Sequence, residues 1–373
     1  MKFTIDRSVF LKALSHGQSV VERRTTVPIL SNVLLNATPM GLSMITTDTD
    51  LALIETVPAT VTEPGATTVS AQMLFDIVRK LPEGSTVELA LLPETGQLNL
   101  KGGRFRFNLS CLSAEDFPQL TQGELPYHFT LPIGVFKKLL DRAKFAMSTE
   151  ETRYYLNGIH LHTMERDGQK ILRSVATDAH RLAYIEVPLP QGAEDMPGII
   201  IGRKTITEVR KLVDDTTSEV TIALSPTRIE FAFENAVLSS RLIDATYPEY
   251  EKAIPIGNDK IAIIDAKAFA AAVDRVATVS NDKIRSIKVN LHNNMLTLSA
   301  ASHDLGDAVE EITVDFPHDA PIEIGFNARY LLDIAQQIDE DEAQVVLANG
   351  DAPAIIKGML DKEATYVLMP MRV

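Results

Sequence analysis

Apolar positions recur at helical spacing in one stretch of the chain after another, each time behind a short alternating run. From Phe129 to Met147 the sequence reads FTLPIGVFKKLLDRAKFAM. Phe129 to Leu131 alternate as in a strand, and Pro132 and Gly134 mark a turn. Val135, Phe136, Leu139, Leu140 and Ala143 then form one apolar stripe of an amphipathic helix. Lys137, Lys138, Arg142 and Lys144 crowd the other face, opposed by Asp141. The chain opens on the same design, FTIDRSVFLKALSHGQSVV, with Val9, Phe10, Ala13 and Leu14 in the stripe. It returns at 261–279 with Ala268, Phe269, Ala272, Val273 and Val276. Copies spaced by roughly 130 residues mean a threefold internal repeat.

Each repeat divides again into two like halves. Second helices are expected at Gln72 to Lys80, Lys204 to Val213 and Ala328 to Ile338. Short strands flank them, among them Val33 to Ala37, Leu42 to Thr46, Arg104 to Cys111, Gly158 to His162, Ile171 to Ala176 and Thr365 to Met369. The run TTDTDLA at 46–52 matches ATDAHRLA at 176–183, and both second helices of the first two repeats end RKL. The fold class is therefore α+β, with a strand–helix–meander unit used twice per domain. Turn-forming linkers near Thr121 to Pro126 and Lys252 to Asn258 place the domains at 1–125, 126–254 and 255–373.

Composition sharpens this picture. A chain of 373 residues, 45% of them hydrophobic, is too long for one ordinary core but ample for three. The net charge of −14 argues at first against a nucleic-acid partner, yet the charges are segregated. Lys12, Arg23, Arg24, Arg79, Lys80, Lys137, Lys138, Arg142, Lys144, Arg203, Lys204, Arg210, Lys211, Lys267 and Arg275 fall on or beside the helices. Acid gathers in connections such as Asp214-Asp215 and Asp339 to Glu342. With the apolar stripes on the sheets, the basic faces would point away from them together. Six helices of about 10 Å side by side enclose a hole of only about 10 Å, whereas twelve from two chains enclose nearly 30 Å. A dimeric ring of this design could hold a DNA duplex of about 20 Å, touching its phosphates without reading its sequence.

The lone cysteine, Cys111, excludes an intrachain disulfide and reads as a small core residue. The N-terminus has no apolar h-region and no apolar run is long enough to span a membrane, so a cytoplasmic protein is expected. His180 beside Asp178 invites a catalytic reading, but TDTDLA has no histidine at that place, which makes the motif a reused turn. No metal-ligand spacing accompanies it. Two rival readings are a metal-dependent cytosolic enzyme using the TDTD and TDAH carboxylates, and a repeat scaffold that binds no DNA.

Together, MKFTIDR at the start, VPILSNVLL at 27–35, RYYLNGIHL at 153–161, ATDAHRLA and the terminal YVLMPMRV closely resemble the bacterial sliding-clamp family, the beta subunits of DNA polymerase III. The resemblance runs the whole length of the chain. It implies a head-to-tail homodimeric ring around double-stranded DNA, with helices lining the hole and sheets outside. Such a ring tethers the replicative polymerase and carries no catalytic residue, metal or cofactor. A groove between the second and third domains would accept short apolar motifs of the polymerase, the clamp loader and repair proteins. The matching positions are Arg153, Leu156, Thr177, His180, Arg181, Leu182, Pro248, Val367, Met369, Pro370 and Met371. Methionines suit a groove with several ligands, and Pro370 is expected to end its strand and leave an open edge.

For DNA the resemblance implies Arg24, Tyr154, Tyr155 and Lys204. Three positions depart from the family pattern: Gln72 stands for Arg, Glu150 for Gln, and Ala179 for Gly. The last suggests a turn that does not require positive φ. The subunit interface is expected to join Arg104, Arg106, Phe107 and Leu109 of domain one to an acidic region of domain three. That region includes Val279, Ile284, Asp304, Asp307, Glu310 and Glu311.

Overall fold

The structure of the protein, a computed structural model, describes residues 1–22, 25–120, 123–213, 217–280 and 285–372. Arg23, Arg24, Asp214, Asp215 and Ile284, singled out above, lie outside the described residues.

The first repeat runs β1 Lys2–Asp6, α1 Arg7–Val20, β2 Asn32–Thr38, β3 Gly41–Thr47, β4 Leu51–Val57 and β5 Thr60–Glu63. It continues β6 Gly65–Ser70, α2 Ala71–Lys80, β7 Thr86–Leu92, β8 Gln97–Gly102, β9 Phe105–Leu109 and β10 Cys111–Leu112. In the second come β11 Tyr127–Pro132, α3 Ile133–Asp141, β12 Gly158–Arg166, β13 Gln169–Thr177 and β14 Arg181–Pro188. Then follow β15 Ile199–Gly202, α4 Arg203–Lys211, β16 Glu219–Leu224, β17 Arg228–Ala232 and β18 Ala236–Arg241. The third has β19 Lys260–Asp265, α5 Ala266–Ala277, β20 Ser286–His292, β21 Met295–Ser302 and β22 Gly306–Thr313. It ends with β23 Ile322–Asn327, α6 Ala328–Ala335, β24 Glu342–Leu347, β25 Ala354–Gly358 and β26 Ala364–Leu368.

Strands pass straight into helices because a polar residue at the joint takes up the free N–H groups of the first turn. Asp6 accepts from Ser8 and Val9, Ser70 from Met73, Asp265 from Ala268, and Asn327 from Arg329 and Tyr330. In the second repeat Pro132, which has no N–H to satisfy, ends β11 and α3 begins at once, so the expected turn is absent. The stripes bury as the spacing predicts: Phe10, Ala13 and Leu14 in α1, and Phe136, Leu139 and Leu140 in α3. Ala268 is an exception and lies exposed, because α5 buries 266, 269, 273 and 276, and 268 falls off that line.

Contacts divide the chain into two compact units. One comprises Met1–Phe136, Pro190–Pro197 and Lys204–Leu242; the other comprises Lys137–Leu189, Gly198–Arg203 and Ile243–Val373. The second repeat is thus shared between them. The first unit holds a five-stranded sheet, β5-β1-β7-β8-β9, and a nine-stranded sheet, β10-β6-β2-β3-β4-β18-β17-β16-β11. The second holds an eight-stranded sheet, β15-β12-β13-β14-β26-β25-β24-β19, and a four-stranded sheet, β22-β21-β20-β23.

One rule generates all four sheets. Each repeat supplies two ribbons with four strands at matching places, to which the first repeat adds β5 and β10, and the last strand of one repeat pairs antiparallel with the fourth-strand edge of the repeat before it. β18 pairs with β4, setting Leu238 opposite Leu53, and β26 pairs with β14, setting Val367 opposite Leu182. The strands at those same places that remain at sheet ends are β9 and β22.

The continuous strand expected over Arg104 to Cys111 is broken at Ser110. β9 pairs with β8 in the five-stranded sheet, whereas β10 crosses to pair with β6 in the nine-stranded one. A single alternating run therefore serves two sheets.

Candidate functional site

Two turns of identical construction lead into β4 and β14. Thr47 Oγ1 donates to Leu51 O (2.9 Å) and accepts from Thr49 N (3.0 Å), while Asp48 Oδ1 accepts from the N–H groups of Asp50 and Leu51. In the second, Thr177 Oγ1 donates to Arg181 O (2.7 Å) and accepts from Ala179 N (3.1 Å). There Asp178 Oδ1 accepts from His180 N and Arg181 N, both at 3.0 Å. One oxygen of each carboxylate is committed to backbone, as in turn-forming aspartates, and the other meets a cation, Lys204 at Asp48 and Arg181 at Asp178. Among the described residues no group of three or more His, Cys, Asp or Glu side chains could hold a metal ion. Ala179 corrects the expectation drawn from it: its φ is +75°, and Thr49 at the matching place has +86°. The turn does require the left-handed conformation, and a non-glycine residue adopts it at a cost.

The turn at 177–181 delivers Leu182 into a buried apolar cluster with Leu156 and Val367. Three residues from three separate stretches are thus brought together. The same cluster contains Val175, Tyr184, Ile200, Tyr247 and Tyr250, with Tyr155, Ile243, Ala245, Ile254 and Ile355 packed on it. Sequence reasoning missed these as a cluster, naming Tyr155 alone among them, for DNA. The one signal for them was the ATYPEY run around Pro248, itself exposed, whose carbonyl accepts from Tyr250 N (2.7 Å). Met369, Pro370 and Met371 lie half-buried beyond β26. They leave no open strand edge, because β26 is flanked by β14 and β25. Instead Met369 N donates to His180 O and Met371 N to Gly325 O, both at 2.9 Å.

His180 is exposed and stacks on Tyr330 with ring centroids 6.0 Å apart. Arg181, in contrast, is buried and spends its guanidinium inward, on Asp178, Asp333 and Phe145 O. Arg153 pairs with Glu150 at 3.2 Å, at a break in the short 3-10 helix Glu151–Leu156. Beneath the cluster His160 stacks between His162 and Tyr247, each 4.7 Å away. His162 Nε2 meets Tyr250 OH (2.8 Å), which also accepts from Arg173 (3.0 Å). Burial pushes His160 down to about 4, and pushes His162 down and Tyr247 and Tyr250 up. The network is neutral apart from Arg173, which Glu186 balances.

Of the expected DNA residues, Tyr154 is 54% exposed and stands edge-on to half-buried Tyr155 at 5.9 Å. Lys204 is anchored, its Nζ donating to Val20 O (2.8 Å) and Asp48 Oδ2 (2.5 Å). Gln72 donates to Asp76 (2.9 Å). Several of the helix cations are likewise paired. Arg142 bonds Asp339 and Asp361, Lys138 Glu363, Lys144 Asp141, Lys211 Glu208, Lys267 Asp341 and Arg275 Glu310. The segregation of charge read from the sequence is therefore partly undone by the fold.

Most of the expected interface residues fall on or beside β9 and β22. Arg104 precedes β9, which carries exposed Phe105 and Arg106 and half-buried Phe107 and Leu109. β22 carries Asp307, Glu310 and Glu311, with Leu305 just before it and Val309 within it 60% and 64% exposed. Val279 closes the turn after α5, its N–H donating to Val276 O (3.4 Å).

Comparison with known proteins accounts for this architecture. Three family models match in order: the DNA polymerase III beta subunit N-terminal domain over residues 1–121, its central domain over 130–249 and its C-terminal domain over 251–372. The chain is 45% identical to the beta sliding clamp of Caulobacter vibrioides and 34% identical to that of Escherichia coli K12, each over 373 residues and the full length of both proteins. A crystal structure of the Caulobacter crescentus clamp superposes with a TM-score of 0.96 at 45% identity, covering 100% of this chain and 99% of that one. The Bartonella birtlesii clamp bound to griselimycin gives 0.96 at 44% identity, with both chains covered completely. No helix among the described residues is long and apolar enough to cross a membrane. The chain belongs to the DNA polymerase III beta subunit family, the sliding clamps, and is a non-catalytic processivity subunit rather than an enzyme.

Proposed function

We propose that two copies of this chain close head to tail into a ring around duplex DNA, β9 of each pairing with β22 of the other. The observation that carries this reading is the repeat itself. The places held by β9 and β22 are the places where β18 meets β4 and β26 meets β14 within the chain. Carrying over the register of the β18–β4 ladder, with Gly306 of β22 set in the place of Ala52 of β4, puts Phe105 opposite Val309, Leu109 opposite Leu305 and Arg104 opposite Glu310. Exposed apolar residues then meet apolar ones and cations meet carboxylates, as a stable edge-to-edge contact needs. The interface is heterologous, and two copies close it.

The domains follow the repeat at 1–125, 126–254 and 255–373. DNA passes through the hole on phosphate contacts, with Arg24, Tyr154, Tyr155 and Lys204 facing it, and the protein works in the cytoplasm. Prior pairing of helix cations keeps that attraction weak, which suits a ring that must slide. The cluster around Leu156, Leu182, Val367 and Tyr247, rimmed by Arg153, His180, Pro248, Met369 and Met371, is the groove for short apolar motifs of the polymerase, the clamp loader and repair proteins. The peptide-like griselimycin bound to the Bartonella clamp fits this reading. Electron micrographs of the purified protein, averaged without imposed symmetry, test it: closed rings of two chains with a hole wide enough for duplex DNA are expected. Compact particles or open crescents at high concentration would contradict it. Turnover by the purified chain on adding metal, or the absence of any retention on closed circular DNA, would favour the rival readings.

A further inference from the structure

We infer that Asp333 on α6 is a positioning residue for the groove, acting through Arg181 to fix the place of Leu182. The inference rests on the groove reading above. Arg181 is 9% exposed, and each of its three side-chain nitrogens is engaged inside the protein. Nε donates to Asp178 Oδ2 (3.1 Å), one terminal nitrogen to Asp333 Oδ2 (2.5 Å) and the other to Phe145 O (2.7 Å). The guanidinium also lies over the Tyr330 ring at 4.4 Å and the Phe145 ring at 5.0 Å.

The first unit contains a control for what this arginine does. The turn at 47–51 has the same threonine and aspartate bonds and a left-handed residue at the same place, but leucine stands where the second turn has arginine. The turn therefore forms without a guanidinium. Burying one is costly unless each donor is met, so at Arg181 it serves something beyond the turn. What it adds is a tie between three elements: the turn, the 3-10 turn Lys144–Ala146 and α6. Tyr330, one helical turn before Asp333, stacks on His180, so α6 grips both residues that precede Leu182. Leu182 is 2% exposed and pairs with Val367 in the groove floor. Asp333 itself belongs to neither the turn nor the floor. Of the two carboxylates that Arg181 bonds, it is the one that can be removed without touching either.

Griselimycin titration of the full-length protein tests this, using Asp333→Ala, Arg181→Met and the double variant, with thermal unfolding of each. Asp333→Ala should weaken binding about tenfold, Arg181→Met at least as much, and the double variant no more than Arg181→Met alone. Native affinity in Asp333→Ala, or losses that simply add, would overturn the inference. If Asp333→Ala unfolds, Asp333→Asn takes its place. Should the native protein itself fail to bind griselimycin, the groove reading is what fails. Hydrogen exchange then decides the positioning claim: faster exchange at His180 to Ala183 in Asp333→Ala supports it, and unchanged exchange rejects it.

Discussion

Lys204 on α4 closes on Asp48 at 2.5 Å and on the carbonyl of Val20, the last residue of α1, at 2.8 Å. One ammonium thus ties a helix C-terminus to the turn before β4, where the helix dipole and the carboxylate both favour positive charge. Asp48 is nearly buried, its side chain 8% exposed. Replacing the lysine leaves that carboxylate with backbone partners only. Lys204→Met should lower stability by about 1 kcal/mol, read as an earlier urea midpoint at unchanged slope. Because its charge is already matched, the same variant should change the salt dependence of DNA binding by much less than one phosphate contact.

Ala179 at φ +75° and Thr49 at φ +86° hold the two turns in a conformation that glycine adopts freely. Ala179→Gly should raise stability by about 1 kcal/mol, and Thr49→Gly by at least as much, since a β-branched residue is worse placed there. Thermal melts of the two variants check this, and a lower melting temperature in either would count against it.

The stacked pair His160 and His162 sets a pH dependence. Burial pushes His160 down to about 4 and lowers His162 as well, so the unfolded chain binds protons that the folded chain refuses. Stability is therefore full above the ordinary histidine value of about 6.5 and falls as the pH drops from there towards 4, by about 3 kcal/mol for His160 alone. Urea unfolding at pH 7.5 and pH 5 should show about 2 kcal/mol of this loss, and His160→Phe should flatten it.

The repeat was legible in the sequence because it is written in periodicity. Phe10, Ala13 and Leu14, and likewise Phe136, Leu139 and Leu140, fall on one helical face whatever the tertiary structure. Partners were not legible. Nothing local to KKLLDRAK tells that Arg142 bonds Asp339 and Asp361, or that Arg181 finds Asp333, because those pairings depend on where the fold returns the chain. The apolar cluster was half legible: Leu182 and Val367 were named from the resemblance, while Tyr184, Tyr247 and Tyr250 look in sequence like ordinary core aromatics. Ser110 shows a further limit, since an alternating run does not say which sheet each half joins.

The claim that matters most is that β9 and β22 complete each other between two copies. It is tested most directly by oxidative cross-linking of the double variant Phe105→Cys/Val309→Cys, built in a Cys111→Ser background to leave no other thiol. A covalent dimer on a denaturing gel, formed by the double variant and by a mixture of the two single variants but by neither single variant alone, is the predicted result. Cross-linking of Phe105→Cys by itself would mean a face-to-face contact, and a double variant that stays monomeric after oxidation would contradict the head-to-tail ring.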